Sequence, residues 1–203
     1  MHSFLSRAVA VGALCLGMAF AVQAATPTRE ETQQMNAMLA KDSPFIGDAK
    51  ADVTIIEFFD YTCSYCKAVE PRLAQFLKAD KHVKLVLKEF PILTPESLVA
   101  SKVALAAVKQ GKYGVYHQAM MRLDGPLDEA AIFGTAKSVG LDVARLKRDM
   151  KAPEISDAII ANFNLARSLR QFQTPIFIVN GFILGGESAK INFPQVAAAA
   201  RKK

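Results

Sequence analysis

The sequence predicts an α/β fold in which a strand–helix–strand unit and a later hairpin–helix unit enclose a block of helices. Three observations predict it. Val53-Thr54-Ile55-Ile56-Glu57-Phe58-Phe59 is β-rich and nearly continuous in apolar character, as in a buried strand. Residues from about Ser97 to Gln171 are rich in Ala, Leu, Lys and Arg and lack strand-like runs. Asn180-Gly181, set between Ile176-Phe177-Ile178-Val179 and Phe182-Ile183-Leu184, is a two-residue hairpin signal.

The elements follow in order. Arg7 makes the start positive, Ala8 to Val22 is apolar, and Val22-Gln23-Ala24 places small residues where a signal peptidase reads. The run is shorter than the roughly 20 apolar residues a membrane span needs. Cys15 follows Leu14, where lipidation requires a small side chain, so the segment reads as a signal peptide cleaved after Ala24. Thr28 to Lys41 reads as a short helix: Thr28 and Glu31 have capping-box spacing, and Met35, Met38 and Leu39 share a face. That stripe must be buried, either on its own domain or in a homodimer through this helix.

After the 53–59 strand, a helix runs from Cys63 to about Ala79 with Pro71 inside it. Val83 to Lys88 alternates like a strand. The helical block is broken near Gly111, Asp124-Gly125-Pro126, Gly140 and Pro153. A last helix runs from about Phe193 to Lys203. The expected organisation is a signal peptide at 1–24, an N-terminal helix or extension at 25–42, an α/β domain at 43–96 and 172–203, and an inserted helical domain at 97–171.

Composition bounds the function. The chain has 203 residues, 51% hydrophobic and 22% charged, enough for one domain carrying an insertion. Its net charge of +6 is scattered apart from Arg201-Lys202-Lys203, and no basic stripe is interleaved with aromatics. A nucleic-acid partner is therefore not expected.

Removing residues 1–24 leaves two cysteines, Cys63 and Cys66. A disulfide closing two intervening residues restrains the chain little, because longer loops gain more. The spacing suits chemistry instead. Cys63 ends a strand–turn segment and opens a helix, where free amide N–H groups favour a thiolate and lower its pKa. Cys66, one turn deeper, is the expected resolving partner of a thiol–disulfide exchange through a mixed disulfide. Structural zinc needs four ligands, and only His82 and His117 remain as soft donors. No resident metal and no cofactor beyond a redox-active Cys63–Cys66 disulfide is expected. Cu(I) on the two thiolates stands as a secondary activity. His117, among Tyr113, Tyr116 and Met120, reads as a packed, hydrogen-bonded histidine rather than a base.

Asp60-Tyr61-Thr62-Cys63-Ser64-Tyr65-Cys66-Lys67 resembles the active-site signature of DsbA-like thioredoxin-fold proteins, and Phe90-Pro91-Ile92-Leu93 and Thr174-Pro175-Ile176-Phe177 are similar to further segments of that family. The resemblance runs from about Ser43 to the C-terminus and is strongest to short exported members, ScsC-type copper-tolerance proteins included. It implies a thioredoxin fold with an inserted helical domain, and it implies site roles. Pro175 matches the family's cis-proline opposite the cysteines, and Thr174 before it offers a backbone edge to a client peptide, with Ser64 and Tyr65 beside it. Glu57, six residues ahead of Cys63, matches a buried acid that relays the Cys66 proton, and Lys88 on the neighbouring strand reads as its partner.

The resemblance also implies partners and place: unfolded or misoxidised exported proteins as clients, a membrane redox partner, and a periplasmic location. Tyr65 stands where the best-known member has a thiolate-stabilising histidine. Threonine at position 174 is associated with isomerases in this family, and valine with its strong oxidase. The implied activity is moderately oxidising with isomerase capacity; the alternative is a copper-tolerance, Cu(I)-binding redox protein.

Overall fold

The sheet is built around β2 (Val53–Phe59), a strand whose seven residues are all buried. β3 (Val83–Glu89) runs parallel to it on one side and β4 (Ile176–Val179) antiparallel on the other. β1 (Phe45–Gly47) and β5 (Phe182–Ile183) are the edges, so the order is β1-β3-β2-β4-β5. The computed structural model describes residues 30, 35–36, 39–184 and 190–202. The expected signal peptide lies outside them, as do most residues of the expected 28–41 helix.

Helix α1 (Ser64–Ala79) makes the crossover that a parallel β2–β3 pair requires. Five helices lie between β3 and β4: α2 (Pro95–Val108), α3 (Tyr113–Met121), α4 (Glu129–Ser138), α5 (Val143–Asp149) and α6 (Pro153–Ser168). Helix α7 (Phe193–Arg201) follows β5. The architecture is the thioredoxin fold with an inserted helical domain that the sequence predicted.

The punctuation is local chemistry. Asn180 and Gly181 both take positive φ, 46° and 82°, the backbone of a tight hairpin turn. Gly140, at φ 76°, ends α4 by donating its N–H to the Lys137 carbonyl at 2.9 Å. Pro153 opens α6, where its missing N–H is not needed. The sequence did not announce β1. Three residues show no period, and what makes them a strand is antiparallel pairing of Phe45 with Val86 at the sheet edge.

Alternation along β2 sorts the core into two layers. Val53, Ile55 and Phe59 face α1, α7 and the inserted helices, where Leu73, Phe193 and Val103 join them. Ile56 and Phe58 face the other way, onto Ala166 of α6 with Val86, Phe90 and Ile176. Leu39, 2% exposed, packs into this second layer, and Met35 reaches it partly buried. Leu39 and, in part, Met35 of the N-terminal apolar stripe are thus covered by their own domain. Gly181 keeps this seat open, since a Cβ there would lie 2.8 Å from the Met35 sulfur.

Candidate active site

The two cysteines come together because β2 ends in a turn that becomes α1. Cys63 is the N-cap of α1, and its sulfur accepts the Cys66 N–H at 3.3 Å. The first turn carries no acidic side chain, so the positive end of the helix is left to the sulfur. Both cysteines are free thiols. Cys63 keeps 4% of its surface exposed and Cys66 none.

Their electrostatics diverge. The Cys63 pKa falls to about 6, first because Cys66 hydrogen-bonds its sulfur, then through Thr174 and the N–H groups of Cys66 and Tyr65, against a burial cost. Burial drives the Cys66 thiol far up, reinforced by the shared hydrogen bond with Cys63 and by the Glu57 charge. One sulfur is poised as a nucleophile at neutral pH, and the other holds its proton until a base takes it.

Thr174 and Pro175 arrive from the far side of the sheet. Their peptide bond is cis, and the Cys63 thiol donates to the Thr174 carbonyl at 3.5 Å. Ser64 is exposed at the first position of α1, and Tyr65 is 66% exposed. Phe172, two residues before Thr174, is 71% exposed. An open apolar surface thus flanks a nearly buried sulfur.

Glu57 is fully buried on the cysteine side of β2, and neither carboxylate oxygen has a hydrogen-bond partner. Its pKa is pushed well up, by burial first and then by the charges of Glu70 and Cys63. Lys88 is not its partner. In the parallel register Glu57 lies beside Leu87, whereas Lys88 lies beside Phe58, so the two side chains point to opposite faces. Lys88, 4% exposed, has its pKa lowered to about 8 by burial, with the Asp42 charge opposing. The sequence reading slipped by one residue, which in a strand reverses the face.

The cysteine side of the sheet instead collects acids. Glu70 of α1 is raised to about 7 by burial, with Arg122 opposing. Glu89 at the end of β3 is raised to about 8 by burial and accepts from Tyr113 at 2.8 Å and Tyr61 at 3.2 Å. His117 is the packed histidine expected: fully buried, its Nδ1 3.3 Å from the Tyr61 hydroxyl and its ring 4.7 Å from that of Phe59. Burial lowers its pKa to about 3, so it is neutral. Sequence reasoning assigned no role to Asp60, Glu70 or Glu89. A signal existed for Asp60 alone: an aspartate two residues before an N–H it can accept, the mark of an Asx turn. Among the described residues no group of three or more His, Cys, Asp and Glu side chains is placed to hold a metal ion.

A family model described as a DSBA-like thioredoxin domain matches residues 54–191. A thioredoxin-like oxidoreductase from Silicibacter pomeroyi DSS-3 is similar at 36% identity and TM-score 0.76, over 83% of this chain and 97% of that one. The thiol-disulfide exchange protein alpha-DsbA2 of Wolbachia pipientis is similar at 25% identity and TM-score 0.73, over 86% and 96% of the two chains. A stretch of 137 residues is 28% identical to part of the sodium/proton antiporter NhaA 1 of Salinispora arenicola, covering 66% of this chain and 21% of the antiporter. The chain thus spans about a fifth of the length of that curated relative.

Proposed function

The chain belongs to the DSBA-like thioredoxin-domain family of thiol–disulfide oxidoreductases, and from that premise we propose that it oxidises and reshuffles disulfides of exported proteins through Cys63 and Cys66. One observation carries the proposal: two free cysteines three residues apart, one at a helix N-cap with a lowered pKa and one buried with a raised pKa.

In the oxidising direction a client thiolate attacks the Cys63 sulfur of the Cys63–Cys66 disulfide. The client–Cys63 bond forms, the Cys63–Cys66 bond breaks, and the Cys66 thiolate leaves and takes up a proton. A second client thiolate then attacks the client sulfur and releases the Cys63 thiolate, which its hydrogen-bond donors stabilise. Run in reverse, Cys66 must lose its proton before it can resolve the mixed disulfide. We assign that step to Glu57, which can accept the proton only while its carboxylate is ionised; burial keeps it mostly protonated, so the step draws on the ionised minority.

The Thr174 backbone and the apolar surface of Tyr65 and Phe172 suit an extended, unfolded client. The reading of Thr174 as a mark of moderate oxidising strength, and the expectation of a membrane redox partner, belong to this proposal. So does export, which rests on residues 1–24; N-terminal sequencing of the exported protein tests it.

Trapping separates the roles. Cys63→Ser should form no mixed disulfide with a scrambled, disulfide-bearing client. Cys66→Ala should accumulate it, and Glu57→Gln should slow its resolution without slowing attack by Cys63. A Cys63→Ser protein that still reduces insulin would sink the proposal.

A further inference from the structure

Asp60 is fully buried, yet its carboxylate accepts five hydrogen bonds. Oδ1 receives the Thr62 N–H at 2.7 Å, the Thr62 hydroxyl at 2.7 Å and the Ser97 hydroxyl at 2.6 Å. Oδ2 receives the N–H groups of Ile92 at 2.9 Å and Leu93 at 3.0 Å. One side chain thus ties together the turn before Cys63, the loop after β3 and the first turn of α2. Its main chain joins in, because the Cys63 N–H donates to the Asp60 carbonyl at 3.1 Å.

The consequence for the sulfur is geometric. Asp60 takes up the amides of Thr62 and Cys63, which fixes the turn. The amides of Tyr65 and Cys66 are then left to donate toward the Cys63 sulfur. We infer that Asp60 is a positioning residue for the Cys63 thiolate, holding the N-cap turn of α1 against the Ile92–Leu93 loop so that the helix amides stay aimed at the sulfur. This rests on the proposed thiol–disulfide exchange and deepens it. It also gives the nucleophile and the apolar lip at Leu93, 52% exposed, a common support.

The charge of Asp60 makes the idea testable by sign. A carboxylate near a thiolate disfavours it, so losing the charge alone should lower the Cys63 pKa. Losing the positioning should raise it. Glu89 from β3 interacts with Asp60 electrostatically, the Asp60 backbone hydrogen-bonds the Cys66 sulfur, and Thr62 and Ser97 contribute neutral hydroxyls.

The experiment is the thiolate absorbance at 240 nm of reduced full-length protein against pH, with circular dichroism confirming that each variant is folded. Asp60→Asn keeps the size and removes the charge, but it also turns an NH2 group, which cannot accept, toward the donors at Oδ1 or Oδ2, so the positioning is lost with the charge. It should raise the Cys63 midpoint by about one pH unit or more, a tenfold or greater loss of thiolate at fixed acidic pH. Ser97→Ala and Thr62→Val keep the charge, remove one donor each, and should shift the midpoint the same way by less. A folded Asp60→Asn that titrates at or below the wild type overturns the inference. If Asp60→Asn does not fold, wild-type midpoints in both milder variants overturn it equally. A wild type that titrates like a free cysteine would instead overturn the reading on which the inference rests.

Discussion

Raising the pH from about 6.5 to about 8 should weaken this fold, the reverse of what paired surface carboxylates do. The cause is the buried acids. Burial raises Glu57 well up, Glu70 to about 7 and Glu89 to about 8. In the unfolded chain these groups ionise near about 4.3. Between that value and the folded one, the folded state keeps a proton that the unfolded state has lost. The stability tied to each acid is fully present below about pH 4.3 and is lost as the pH rises toward the folded pKa.

Three other groups slope the opposite way; Lys88, lowered to about 8 by burial, gains stability as the pH rises past that value, so the upper pH stops there. His117, lowered to about 3 by burial, costs stability as the pH falls below its unfolded value of about 6.5, so measurements start there. Cys63, lowered to about 6, contributes stability present above about pH 8.5 and lost as the pH falls, so the measurement is made in Cys63→Ser. An acid that stays protonated in the fold across about 1.5 pH units, at about 1.36 kcal/mol per unit, loses about 2 kcal/mol of stability. Glu89, raised to about 8, accounts for up to about that amount, Glu70, raised to about 7, for less, and Glu57 adds to the loss in the same direction. Urea unfolding at the two pH values reads it, and adding Glu57→Gln should make the difference smaller. Equal or greater stability near pH 8 would refute the reasoning.

The remaining predictions concern direction and assembly. By the family association of valine with the strong oxidase, Thr174→Val should give faster oxidation of reduced clients and weaker rescue of scrambled ribonuclease; losing the hydroxyl that helps lower the Cys63 pKa acts in the opposite direction, so slower oxidation would break that association here. Leu39→Ala should destabilise the fold by about 2–5 kcal/mol, as expected for a leucine lost from a packed core. Because Leu39 is covered by its own domain, that loss should not depend on protein concentration. A concentration-dependent midpoint, with a dimer mass by light scattering, would mark the N-terminal helix as a subunit interface.

Much of the fold was legible because each element carries its own signal. β2 announces itself by seven apolar-rich residues, α1 by a cysteine at a helix start, and the hairpin by Asn180-Gly181. β1 was not legible, since three edge residues owe their conformation to β3 rather than to themselves. The cysteine pair and the cis-proline could be named from spacing and resemblance. That Glu57 and Lys88 face apart could not, because the register between β2 and β3 is not written in either strand, and a shift of one residue sends a side chain to the other face. Asp60 was hidden for a related reason. Three of its five donors come from Ile92, Leu93 and Ser97, more than thirty residues away in sequence, and only the finished fold brings them to one carboxylate.

The central claim is that Cys63 is a thiolate at neutral pH while Cys66 is not. The most direct measurement is the rate of alkylation of the reduced wild-type protein as a function of pH, with the modified residue identified by mass spectrometry. The account predicts a single titration centred near pH 6, with the label on Cys63. A midpoint near the roughly 8.5 of a free cysteine, or label appearing first on Cys66, would contradict it.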